Sequence, residues 1–195
     1  MDIKRIREEA DKMDRSNTAV SELDTQCILV EPILELIDYN TKDIDKIKRA
    51  SAKKEPDILV IGEEEILVIE VKSIKSPQFN IKRGENGVAK YDDKKTGKLE
   101  KTENGLKNKD GDGVGQLRRY CYNISKNIDR YCIKNSKTKK IIPILTNGKD
   151  WVIFNYENFT DKNEIDKPLS RKMIKKYLSI NDGNFIENLE NIIKT

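Results

Sequence analysis

The chain contains no histidine. That absence removes Ser-His-Asp and Cys-His catalysis, histidine-ligated zinc, and any hydrolase that relies on an imidazole base. Cysteine is scarce: Cys27, Cys121 and Cys132 are odd in number and form no Cys-x-x-Cys pair. They read as reduced core thiols, not as a disulfide frame or a zinc site. No apolar stretch approaches 18 residues and no signal-peptide pattern is present, so the expectation is a soluble cytoplasmic protein. Hydrolytic chemistry in such a chain has to run on carboxylates, lysine and metal.

Charge, by contrast, is abundant. Charged residues make up 37% of the chain, with 38 lysines and arginines against 34 acids and a net charge of +4. That balance permits nucleic-acid binding without demanding it. A length of 195 residues suits one domain with a sizeable core. Several clear apolar runs argue against global disorder despite the few aromatics.

Two of those runs are Ile58-Leu59-Val60-Ile61, preceded by Pro56-Asp57, and Ile66-Leu67-Val68-Ile69, followed by Glu70-Val71-Lys72. Gly62-Glu63-Glu64-Glu65 joins them. Paired as a hairpin, Ile61 faces Ile66, Leu59 faces Val68, and Asp57 faces Glu70. Opposed Cβ atoms lie about 4.5–5.5 Å apart, where like charges repel. Two carboxylates there need a proton or a cation between them, and hard divalent cations take oxygen ligands. Asp57 and Glu70 are therefore a candidate metal pair, with Lys72 on the same strand face as Glu70. An isolated Glu-x-Lys reads as a solvated strand end in so charged a chain. The Pro-Asp opening, the short turn and the Glu-x-Lys closing together single this one out. A one-residue bulge would undo the pairing.

Residues 3–14 read as a charged amphipathic helix. A second helix is expected from about Val20 to Ile37, with Leu23, Cys27, Val30 and Leu34 at helical spacing. Ser16, Asn17 and Ser21 are candidate caps, and Pro32 is a kink position. Residues 40–55 read as a loop or short strand. Residues 74–113, rich in lysine, glycine, asparagine and aspartate, read as an insertion at the sheet edge. It is either a solvated loop or a basic loop that touches phosphates, with a minor hairpin of Phe79–Arg83 and Gly87–Tyr91. A helix from Gly113 to Lys126 places Leu117, Tyr120, Cys121 and Ile124 on one face. Strands at 141–145 and 151–156 flank a turn at 146–150. Two short C-terminal helices are expected within 168–194, at 168–179 and 183–193. The order predicts an α/β sandwich around one mixed sheet in a single domain, with its core at about 18–160.

Pro56-Asp57 with Glu70-Val71-Lys72 resembles the signature of the PD-(D/E)xK phosphodiesterases, whose fold is restriction-endonuclease-like. Glu22-Leu23-Asp24-Thr25, followed by Glu31-Pro32-Ile33-Leu34, is similar to the first helix of the nuclease domain of type I restriction enzyme R subunits. Gln116-Leu117-Arg118-Arg119-Tyr120 matches the Gln-x-x-x-Tyr element found there and in RecB-like nucleases. Leu145-Thr146-Asn147-Gly148, with Trp151 just after, resembles the strand-turn-strand that follows. These elements cover residues 20–156. The insertion 74–113 is longer than the family pattern, and the chain has no Gly-x-x-x-x-Gly-Lys phosphate loop. Coupling to DNA translocation is therefore expected to need another chain.

The resemblance implies a metal-dependent deoxyribonuclease of the restriction or repair type. Asp57, Glu70 and the main-chain carbonyl of Val71 would hold Mg²⁺ or Mn²⁺. Lys72 would position or help deprotonate the attacking water, or stabilise the phosphorane. Glu22 would support the site through water or a second metal, and Gln116 and Tyr120 would contact the substrate backbone. Arg118, Arg119, Lys172, Lys175 and Lys176 read as exposed cations outside the site. DNA is the expected partner, with a homodimer or a separate motor or specificity subunit as further partners. The competing reading is a nucleic-acid-binding subunit of a restriction or repair complex that has lost turnover or depends on a partner. An RNA-directed nuclease is a third.

Overall fold

The computed structural model describes residues 2–39, 47–49, 55–62, 65–84, 89–91, 96–102, 105–108, 112–126, 140–161, 163 and 165–194. Cys132 lies outside them, as do residues 85–88 and part of the segment 40–55. The architecture is mixed α/β, with a sheet flanked by helices. Six strands form the main sheet: β1 (Ile47–Arg49), β2 (Ile58–Ile61), β3 (Glu65–Val71), β8 (Lys140–Thr146), β9 (Asp150–Phe154) and β10 (Ile174–Ser179), in that spatial order. Only β3 and β8 run parallel; every other neighbouring pair is antiparallel.

The β2–β3 register is the expected one, with Leu59 opposite Val68 and Ile61 opposite Ile66. Strict alternation then sorts the side chains into two cores. Ile58, Val60, Leu67, Ile69 and Val71 face α1 (Ile3–Arg15), α3 (Glu31–Leu36) and α6 (Phe185–Lys194). Leu59, Ile61, Ile66 and Val68 face α4 (Gly113–Lys126) and α5 (Tyr156–Thr160). By the same parity Asp57, Glu70 and Lys72 belong to the α4 side.

The expected second helix is divided. It begins as α2 (Glu22–Thr25), widens into a π-helical turn over Gln26–Val30, and resumes as α3. The Glu31 N–H reaches back five residues to the Gln26 carbonyl. Pro32 has no N–H to give and its ring would collide with the carbonyl four residues back, so a wide turn just upstream relieves the clash. The extra residue in that turn rephases the helix. Leu23 is 65% exposed and Cys27 is exposed, while Leu29, Val30, Ile33 and Leu34 are buried. The stripe drawn through Leu23 and Cys27 is thus corrected, and Cys27 is not a core thiol. Cys121 is one.

Two further expectations fail. Residues 168–179 are not a helix: a short 3₁₀ turn, Arg171–Met173, leads into β10 against the free edge of β9. The apolar spacing Met173, Ile174, Tyr177, Leu178 mimics a helix because a β-bulge adds a residue at Lys175. Strand parity resumes after it, with Tyr177 in one core and Leu178 in the other. The insertion 74–113 is not simply a solvated loop either. The minor hairpin expected there is present, with β4 (Lys82–Arg83) paired to β5 (Ala89–Lys90), and the insertion also carries an unforeseen pair, β6 (Leu99–Thr102) with β7 (Gly105–Asn108). Phe79 and Ile81 join the α4-side core, and Leu99 is fully buried.

The turn after β8 follows its sequence closely. Gly148 has φ +80°, and a Cβ there would meet Leu29 Cδ1 at 2.6 Å. The Asn147 side chain accepts from the Lys149 and Asp150 N–H groups. β9 ends at Phe154, and Tyr156, expected in the strand, opens α5 instead. Among the described residues no helix is long and apolar enough to cross a membrane.

Candidate active site

The C-terminal end of β3 delivers Glu70 and Lys72 into the space between the sheet and α4. Both are buried: Glu70 is 0% exposed and Lys72 is 2% exposed. Four main-chain or side-chain ties fix this strand end. The Val71 N–H donates to Asp57 Oδ2 at 2.7 Å, which brings Asp57 across from the start of β2. The Lys72 N–H donates to the Thr146 carbonyl at 2.8 Å, extending the parallel ladder to β8. Ser73 Oγ donates to the Val20 carbonyl at 2.6 Å and the Ile74 N–H donates to Thr25 Oγ1, so the next loop grips both ends of α2.

That grip places Glu22. Ser21 caps α2 reciprocally: its hydroxyl accepts from the Asp24 N–H, and the Asp24 carboxylate accepts from the Ser21 N–H. Glu22, the first helical residue, then projects over the strand end. The Lys72 ammonium is the hub. It donates to Glu70 Oε1 at 2.5 Å, to Glu22 Oε1 at 3.1 Å and to Gln116 Oε1 at 3.4 Å. Gln116 in turn donates to the Tyr120 hydroxyl at 3.0 Å, one turn along α4. Glu22, Asp57, Glu70, Lys72, Gln116 and Tyr120 are thus brought together around this strand end.

The electrostatics follow from the burial. Desolvation pushes the Glu70 carboxyl up to about 8, reinforced by Asp57 and only partly offset by Lys72. Asp57 is also raised, by burial, against the Val71 N–H and the Lys72 charge. Burial alone would lower Lys72, but Glu70, Glu22 and Asp57 together hold it above its usual value. The Tyr120 hydroxyl is raised, mainly by burial. Negative charge is thus crowded around a single ammonium. Glu70 Oε2 is buried without a hydrogen-bond partner among the described residues. A buried carboxylate oxygen left unpaired is costly unless something occupies the space beside it.

An oxygen-only donor set with one unclaimed oxygen suits a hard divalent cation. Among the described residues no cluster of three or more His, Cys, Asp or Glu side chains forms a metal cage. Asp57 and Glu70 bring two carboxylates to this strand end, tied through the Val71 N–H and the Lys72 ammonium.

Comparison of the chain with protein-family models, with curated proteins and with solved structures finds no match. The functional reading thus rests on the site itself.

Arg118 corrects its reading as an exposed cation. It is 0% exposed, and its guanidinium donates to the carbonyls of Phe159 (2.6 Å), Gly97 (3.0 Å) and Lys167 (2.7 Å). Arg119 is half-buried with its guanidinium over the Tyr120 ring, 5.1 Å from the centroid. Sequence reasoning missed Gly113 at the start of α4. A Cβ there would meet Lys72 Cε at 3.2 Å and the Gln78 carbonyl at 2.8 Å, so its lack of a side chain makes room for the Lys72 stem. A glycine at a helix start carries too little signal to be picked out alone.

Proposed function

We propose that the chain is a metal-dependent phosphodiesterase of restriction-endonuclease-like fold that hydrolyses DNA. The observation that carries this reading is the convergence of Asp57, Glu70 and Lys72 at one strand end, with a buried Glu70 oxygen left unclaimed. Asp57, Glu70 and the Val71 carbonyl would hold Mg²⁺ or Mn²⁺. Such an ion supplies Lewis acidity toward a phosphoryl oxygen and lowers the pKa of water.

The chain's own residues do the rest. Lys72 carries a fixed positive charge in a dry setting, where it counts for more against a developing phosphorane than it would in water. Its three oxygen partners aim it, so it needs no reorganisation when substrate arrives. Glu22, at the solvent side of that ammonium, accepts from it and screens it until a phosphate takes its place. Gln116 and Tyr120 present an amide and a hydroxyl at the α4 rim, at hydrogen-bonding reach for a phosphodiester backbone. Phosphate contacts of this kind hold a strand without reading its sequence.

The deciding experiment incubates the purified chain with supercoiled plasmid and with linear DNA, in Mg²⁺, Mn²⁺ or EDTA, beside Lys72→Ala. Metal-dependent nicking lost in Lys72→Ala supports an endonuclease, and loss of linear DNA alone supports an exonuclease. DNA binding with no cleavage in either metal would replace this proposal with the binding-subunit reading.

A further inference from the structure

At the far end of β8 a cavity opens. Its cause is visible in the ladder. β8 pairs with β9 only from Ile144 to Thr146, whereas its pairing with β3 begins at Lys140. Pro143, which has no N–H to donate, stands where the β9 ladder stops. β9 ends at Phe154 and turns into α5, leaving the first residues of β8 without a strand partner on that side among the described residues. The gap is a cavity of about 530 Å³, within the range of small-molecule sites. Six residues of strand separate Lys140 from Thr146, so it lies about 20 Å from the candidate active site.

Its lining is chemically specific. Lys140 enters from the start of β8, and the bulge in β10 turns Lys175 toward the same space. Bulges re-aim side chains in this way. Among the described residues no carboxylate pairs with either ammonium; Lys175 donates to the Ile192 carbonyl, at 3.3 Å. Lys175 is lowered from its usual value by burial and by Lys140, as expected of two cations facing one space. Across from them Asn155, Tyr156 and Glu157 line the α5 side. Two ammonium groups with no carboxylate partner among the described residues suit a phosphate. A half-buried tyrosine ring offers a stacking surface for a base. A carboxylate at the wall suits ribose hydroxyls and would oppose a bare inorganic anion.

We propose that this cavity binds a phosphorylated nucleoside, with Lys140 and Lys175 on the phosphates, Tyr156 against the base and Glu157 on the sugar. The test is calorimetric titration of the full chain with ADP and, separately, with inorganic pyrophosphate, both without divalent metal. The expected result is saturable one-to-one ADP binding, weakened about 10-fold or more in Lys140→Gln/Lys175→Gln. Tyr156→Leu and Glu157→Gln should each weaken it less, Lys72→Ala should leave it unchanged, and pyrophosphate should bind more weakly than ADP. If the double variant unfolds in a thermal melt, Lys140→Gln alone gives the same direction, because that exposed side chain makes no ion pair among the described residues. The proposal is overturned if ADP shows no saturable binding, if the lysine variants bind as wild type, or if pyrophosphate matches ADP.

Discussion

Two of the buried ionisable side chains on the α4 side of the sheet, Arg118 and Glu70, are treated in opposite ways. Arg118 gives its donors to three main-chain carbonyls from separate segments. Glu70 gives one oxygen to Lys72 and keeps the other unclaimed. Arg118 is a clamp: it ties α4 to the insertion and to the chain around α5, and it stays charged at any working pH. Glu70 is held in an environment that resists its ionisation. A satisfied buried charge is architecture; one with spare coordinating capacity, beside another carboxylate, is a place for something to bind.

Several experiments break or sharpen that contrast. The largest effect is expected at the site. Lys72→Ala, Asp57→Ala or Glu70→Ala should each lower metal-dependent plasmid cleavage by about 10³-fold or more while circular dichroism stays native. Wild-type cleavage in any of the three would remove the proposed mechanism. Arg118→Met should act on the fold instead. It strands three carbonyls in the interior, with an expected loss of about 3–5 kcal/mol in urea unfolding. Cleavage per folded molecule should stay near wild type, and a specific loss of turnover would move Arg118 into the site.

The third prediction concerns pH. Glu70 ordinarily titrates at 4.5 and is pushed up to about 8 in the fold. Between those values the folded chain holds a proton that the unfolded chain has released. Stability without metal should therefore fall as pH rises from about 4.5 to about 8. Thermal melts in EDTA across that window read the slope; Glu70→Gln should flatten it and Arg118→Met should not. A slope unchanged by Glu70→Gln would assign the titration to another group. The smallest effect is expected at Glu22, whose ion pair with Lys72 is 45% exposed on the carboxylate side. Glu22→Gln keeps the hydrogen bond and removes the charge, so activity should fall about 3-fold. A loss as large as that of Lys72→Ala would give Glu22 a direct role on substrate or metal.

Local pattern carried much of this into view. The run lengths around Gly62 set the β2–β3 hairpin, and the period of a strand then put Asp57, Glu70 and Lys72 on one face. The α4 stripe of Leu117, Tyr120, Cys121 and Ile124 was legible for the same reason. Reading failed where one residue was added to a period. The π turn before Pro32 and the bulge at Lys175 each shift the phase, and both lie in segments whose apolar spacing fits a regular helix. Within the insertion the β4–β5 pairing was legible, whereas the β6–β7 pair was not, because its strands are too brief to show a period; Phe79, Ile81 and Leu99 are nonetheless buried.

The β2–β3 hairpin, its strand faces and the identity of the candidate acidic pair were thus determined by the chain itself, through rules that act within a few residues. The tertiary structure decided what those residues meet. It set the Glu22 and Gln116 partners of Lys72, the burial of the Glu70 carboxylate, the burial of Arg118 and the gap beside β8. Each depends on segments far apart in sequence arriving at one point, and desolvation there, unlike periodicity, belongs to no single stretch of chain.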